Sequence, residues 1–176
     1  SAKSSDGDSF YNLGLVYLKT GNIDSARIAF SAGLAGDPKN PSNYAGLGEA
    51  DLLSNNPTSA KTNFDQAISL KPKDYKTYLA VGKAYLAQDK PSDVDSKPDY
   101  DNALANLTKA DELDDKDKDA DVFVAIGDAY ALQSKNSDAL GPYFRVQDID
   151  PTNRRAKVQI GRMYKQSREF YGGEKE

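Results

Sequence analysis

The 176-residue chain contains no cysteine and no histidine. The first absence removes disulfides and thiolate nucleophiles. Both together remove the usual zinc ligands and imidazole acid–base chemistry. No run approaches the roughly 20 apolar residues that a membrane-crossing helix needs, and no leader pattern is visible. The chain opens Ser1-Ala2-Lys3 without an initiator Met, which reads as processing or excision from a longer chain. Basic residues are in the minority, 23 Lys and Arg against 27 Asp and Glu, for a net charge of −4. Phosphate backbones need a basic face, so nucleic acid is not the expected partner. A cysteine-free chain suits an exported or periplasmic setting slightly better than the cytoplasm.

Catalytic signatures are missing too. No nucleophile elbow, phosphate-binding glycine loop or metal-ligand spacing appears. The reading is a non-catalytic protein with no catalytic residues, cofactor or metal. The acidic run Asp111 to Asp121 includes Asp115-x-Asp117-x-Asp119, which looks like the start of a calcium loop. The loop's sixth and twelfth positions need Gly and Glu, and here they are Ala120 and Ile126. A solvated loop between repeats, neutralised by Lys116 and Lys118, is the better reading.

What is present is a period. Leu13-Gly14, Leu47-Gly48, Val81-Gly82, Ile126-Gly127 and Ile160-Gly161 share one local context, at spacings of 34, 34, 45 and 34 residues. Ala26, Ala60, Ala103 and Ala139 follow in step, as do Pro38, Pro72, Asp115 and Pro151. Within each unit the large apolar residues fall three or four apart, as Phe10, Leu13 and Tyr17 do, and so share one helical face. Breakers divide the helices at Gly21-Asn22, Asn55-Asn56-Pro57, Asp37-Pro38 and Lys71-Pro72. Asn40-Pro41 and Asn56-Pro57 read as a cap followed by Pro in the first helical position. Small residues such as Gly14 and Ala26 let two helices approach, and Phe10, Tyr17 and Phe30 should fill the space between units. Mean hydropathy is −0.72 with 38% apolar residues. That balance fits stacked hairpins with much wet surface.

These spacings resemble the tetratricopeptide repeat, whose period is about 34 residues. The units run at about 7–40, 41–74, 75–117 and 120–153, with an insertion near 90–98 and a terminal helix over 154–169. The resemblance implies an all-α, right-handed solenoid of four hairpins plus that helix, as a single domain over 1–176. Two departures stand out. Asp51 replaces the Tyr expected in the second unit, and Gly141-Pro142 falls inside a helix of the fourth, where a kink or a late start is expected.

The same resemblance places the first helix of each unit along a concave groove. By register one row is Tyr11, Ala45, Leu79, Val124 and Val158. A second is Leu15, Glu49, Lys83, Asp128 and Arg162, and a third is Leu18, Leu52, Leu86, Ala131 and Lys165. The implied function is a scaffold or adaptor that takes a protein or peptide in this groove. Tyr11, Leu79 and Val124 would form an apolar floor, and Leu15, Glu49, Lys83, Asp128 and Arg162 would orient the ligand. The bland alternative is that these charges pair with one another and the apolar residues merely pack. Asp at Leu79 and Val124 is expected to abolish capture without loss of helix. A chaperone-tail carboxylate clamp is not expected: of its matching positions, Tyr11, Leu15, Gly46, Lys76 and Ala80, only Lys76 fits. The alternative roles are a structural spacer in a larger protein, or self-association through the end repeats. In the last helix, Arg154, Arg155, Lys157, Arg162, Lys165 and Arg168 read as a polar cap.

Overall fold

The computed structural model describes residues 2–87, 98–115 and 119–172, with side chains described from Gly7 to Gln166 within those ranges. Most of the insertion near 90–98, Lys116 to Lys118, and the side chains of Phe170 and Tyr171 lie outside the described residues. Among the described residues every regular element is a helix. In order they are α1 (Ala2–Lys19), α2 (Ile23–Gly36), α3 (Pro41–Leu53), α4 (Pro57–Leu70), α5 (Tyr75–Leu86), α6 (Tyr100–Leu113), α7 (Ala120–Leu132), α8 (Asn136–Ile149) and α9 (Arg154–Gly172). They form two compact units, Ser1–Leu113 and Asp114–Glu176, each described by itself.

The first unit is three hairpins, α1/α2, α3/α4 and α5/α6. What closes each hairpin is a glycine facing a large side chain. A Cβ on Gly48 would collide with the Phe64 ring, and one on Gly82 would lie 2.6 Å from Leu107 Cγ. Phe30, Phe64 and Leu107 are essentially inaccessible to solvent, so the recurring glycine is a notch that the second helix fills. The turns repeat as well. Gly21 has φ +76° and Asn55 has φ +59°. Both end a first helix in the left-handed region, which Gly and Asn tolerate best. Asn40 caps α3 by accepting from the backbone N–H groups of Ser42 and Asn43, at 3.0 and 3.2 Å. Pro41 and Pro57 occupy first-turn positions of α3 and α4, although the Asn56 side chain makes no capping bond.

Asp51, the departure from the repeat pattern, is buried and joins three helices. Its carboxylate pairs with Arg27 of α2 at 2.6 Å and accepts from Asn63 Nδ2 of α4 at 2.8 Å. An acid in place of a Tyr is thus compensated by a cation and an amide.

Phe10 does not fill the space between units as its periodicity suggested. It is 36% exposed, with Leu13 at 42% and Val16 at 56%. The counterparts of Val16 in the next two hairpins, Ala50 and Ala84, are buried, because a preceding hairpin covers that face. No described hairpin precedes α1.

The second unit is the hairpin α7/α8 followed by α9. A Cβ on Gly127 would lie 2.7 Å from Tyr143 Cε1, repeating the notch. Asp114 Oδ2 accepts from the Asp119 N–H at 2.9 Å, and Asp119 Oδ1 from the Asp121 N–H at 3.0 Å. These acids of the former calcium-loop candidate tie down the start of α7. Pro142 gives α8 no late start: the helix runs from Asn136 to Ile149 with Pro142 inside it. The lost bond is one of several, and the buried residues Ala139, Tyr143 and Val146 keep one apolar face packed. In α9, Ala156 and Met163 are buried while Val158 and Tyr164 are exposed. Gly161 has no atom within 4 Å of a hypothetical Cβ. Its notch stays open because no second helix follows it among the described residues.

Candidate functional site

In the first unit the first helices lie side by side. α3 contacts both α1 and α5, whereas the second helices α2, α4 and α6 make no comparable contacts with one another. Successive helices approach most closely on the inside of a curve, so α1, α3 and α5 form the inner face of this unit.

The sequence-selected residues divide on inspection. Leu79 and Val124 are each 8% exposed. They pack between helices and do not form an open floor, so Asp at either position would bury a charge and damage the fold. Tyr11 is half-buried, its ring 6.0 Å from that of Phe30. Lys83 is exposed on α5. In the second unit Asp128 does not pair with Arg162. Its carboxylate accepts from the Tyr143 hydroxyl and from Arg155 Nη2, both at 2.7 Å, and Arg162 is exposed. The Tyr143 hydroxyl is pushed well above its ordinary range, first by burial and then by its bond to Asp128. Within the second unit, then, the two charges of the row are not paired with each other.

Leu15 and Glu49, by contrast, are brought together. Both line a cavity of about 340 Å³ in the first unit. Leu18 and Lys19 of α1 and Leu53 of α3 complete its near walls, and Ile23 and Ala87 close it from the start of α2 and the end of α5. Sequence reading by rows missed Lys19 and Leu53. Each lies one helical turn beyond a residue that was found, Leu15 and Glu49 respectively, and i to i+4 adjacency was the available signal.

The electrostatics of this cavity are unusual. Burial pushes the Glu49 carboxyl up to about 7, and the nearby Lys19 ammonium only partly opposes it. Burial, then the Glu49 charge, pushes the Tyr11 hydroxyl up to about 12. Among the described residues Glu49 makes no hydrogen bond or ion pair. By comparison, Asp51 and Asp128 are both bonded twice. A half-buried carboxylate without a donor is costly to keep, and such groups cluster at functional sites.

Comparison with known proteins agrees with this architecture. The tetratricopeptide repeat family model matches residues 7–40. No curated protein matches the chain by sequence. Among solved structures, PilF of Pseudomonas aeruginosa is 18% identical with a TM-score of 0.68, over 97% of this chain and 73% of its own. The thermophilic tetratricopeptide protein TTC0263 of Thermus thermophilus is 20% identical with a TM-score of 0.65, over 92% of this chain and 82% of its own. YrrB, described as a tetratricopeptide protein with an unusual peptide-binding site, is 18% identical with a TM-score of 0.53, over 90% of this chain and 76% of its own. Identities this low speak to fold alone. No helix among the described residues is long and apolar enough to cross a membrane. The chain thus carries a tetratricopeptide repeat at residues 7–40 and has the tetratricopeptide fold.

Proposed function

We propose that this chain is a non-catalytic scaffold that binds an extended peptide or protein segment along the inner face of its first unit, over α1, α3 and α5. One observation carries the reading. Among the described residues the half-buried Glu49 carboxylate has no donor beside an apolar cavity, and a bound segment can supply both a donor and apolar cover. The fold likeness to YrrB, a protein with a peptide-binding site, supports the same reading. An open face excludes little water and is poor ground for acid–base catalysis.

The test is selection of a random peptide display library on the immobilised full chain, with counter-selection on a Leu18→Lys variant. Peptides that bind the parent chain and not the variant support the reading. Selected peptides that bind both equally place recognition elsewhere.

A second reading has its own observation. Phe10, Leu13 and Val16 form an exposed apolar stripe on α1, which suits end-on self-association. Sedimentation velocity over a wide concentration range tests it, with Val16→Lys expected to abolish any concentration dependence.

A further inference from the structure

The peptide-binding reading leaves open what the cavity beside Glu49 recognises. Its walls and the Glu49 carboxylate point to a specific chemistry. Leu15, Leu18, Ile23 and Leu53 supply aliphatic surface, which favours an unbranched hydrocarbon stem over a polar one. Glu49 lies in the lining with no hydrogen-bond donor or ion pair among the described residues, and so it accepts. Lys19 lies at the exposed rim. It influences Glu49 through space without forming a pair with it.

We propose that this cavity is an anchor pocket for a lysine or arginine side chain of the bound segment, its aliphatic stem packed on Leu15, Leu18, Ile23 and Leu53 and its cationic head donating to Glu49. The inference rests on the peptide-binding reading and adds the anchor's identity to it. A methionine or leucine anchor would fill the same walls but leave Glu49 desolvated and without a donor, which is the more costly outcome. An acidic anchor would be repelled. The volume, about 340 Å³, leaves room for water around the charged head, since each water takes roughly 30 Å³.

The pocket should also sense pH. The charged and titratable groups with described side chains on the helices packed against α3 are Asp8, Tyr11, Tyr17 and Lys19 on α1, Asp24 and Arg27 on α2, Lys61 and Asp65 on α4, and Tyr75, Lys76, Tyr78, Lys83 and Tyr85 on α5. Tyr11 ionises only near 12. Arg27 is held by Asp51, and Lys61 by Asp65. Among the described lining residues the change of charge between pH 6 and 8 falls on Glu49, whose carboxyl ionises at about 7. A cation binds the ionised form, so its affinity rises with pH across that window and binding releases a proton.

The experiment titrates the isotope-labelled full chain with N-acetyl-lysine amide and with N-acetyl-norleucine amide, which matches the stem and lacks the charge, at pH 6 and 8. The amide resonances of Gly21, Glu49 and Leu53 are followed. At pH 8 the lysine derivative is expected to bind at least tenfold more tightly than the norleucine derivative, and its own affinity is expected to be several-fold weaker at pH 6 than at pH 8. Glu49→Gln should erase both differences, and Lys19→Ala, which removes a like charge from the rim, should strengthen lysine binding by two- to threefold. Equal binding of the two derivatives, no shift at these amides, or an unchanged preference in Glu49→Gln overturns the proposal. The display selection separates this failure from that of the broader reading. Selected peptides that need the inner face but show no lysine or arginine preference leave the groove standing and remove the anchor. A lysine derivative that binds while no peptide is selected removes the groove and leaves the pocket.

Discussion

The Phe30 ring occupies the position that a Cβ on Gly46 would take. Phe30 belongs to the second helix of one hairpin and Gly46 to the first helix of the next. The same ring fills the notch at Gly14 within its own hairpin. One side chain therefore closes a hairpin and joins it to its neighbour, which is the stacking principle of the fold in a single contact.

Glycine to alanine substitutions should accordingly split by position. In a helix interior Ala is normally favoured over Gly by roughly 0.5–1 kcal/mol. At Gly161, where nothing lies near the added methyl, that gain should appear in full. At Gly46 the methyl meets Phe30, and overpacking of about 1–3 kcal/mol should outweigh it. Urea titrations of the two variants should move in opposite directions, and Phe30→Leu should recover part of the loss in the Gly46→Ala background.

The ion pairs should differ just as clearly. Arg27→Ala leaves the buried Asp51 carboxylate with the neutral Asn63 amide in place of a cation. Breaking a fully buried pair costs about 3–5 kcal/mol. Arg27 is a third exposed, so a loss of about 2 kcal/mol is expected from that range. Lys61→Ala, which breaks an exposed pair with Asp65, should leave the urea midpoint unchanged.

Stability should fall as pH rises from about 4.5 to about 7 through the contribution of Glu49. Its folded-state carboxyl, at about 7, lies above the ordinary value of 4.5. The folded chain therefore holds a proton that the unfolded chain has released across this window. The stabilisation is complete below the lower value and is lost as pH passes the upper one. Glu49→Gln should be more stable than the parent at pH 8, by on the order of 1 kcal/mol after allowance for solvent screening, and equal to it at pH 4. Thermal unfolding at the two pH values measures the crossover.

Ser134 adopts φ +60° at the end of α7. The corresponding turn after α1 uses Gly21 at φ +76°. A non-glycine residue in this region costs about 1–2 kcal/mol, so Ser134→Gly should raise stability by about 1 kcal/mol, read as a higher urea midpoint with an unchanged slope.

The hairpins were legible in the sequence because the glycine at position 14 and its equivalents mark steric notches, and a notch admits few alternatives. The candidate site was legible in part. Tyr11, Leu15 and Glu49 follow from register on the first helices, and the structure gathers Leu15 and Glu49 at one cavity. Leu79 and Val124 share a register with Tyr11 but are buried, because register names a helical face and not the depth at which a neighbour covers it. The partner of Asp128 was also out of reach. Arg155 and Arg162 lie seven residues apart on one face of α9, and the choice between them depends on how α9 packs on the α7/α8 hairpin. Asp51 breaks the repeat pattern, and only the positions of Arg27 and Asn63 explain why it is tolerated.

The claim that the inner face of the first unit receives a peptide is tested most directly by chemical-shift mapping. A display-selected peptide is titrated into the labelled full chain, and the shifted amides are placed on the helices. The account predicts shifts concentrated on α1, α3 and the end of α5, with Gly21, Glu49 and Leu53 among the largest, and their loss in Leu18→Lys. Shifts concentrated on α2, α4 and α6, or on the second unit alone, would contradict it.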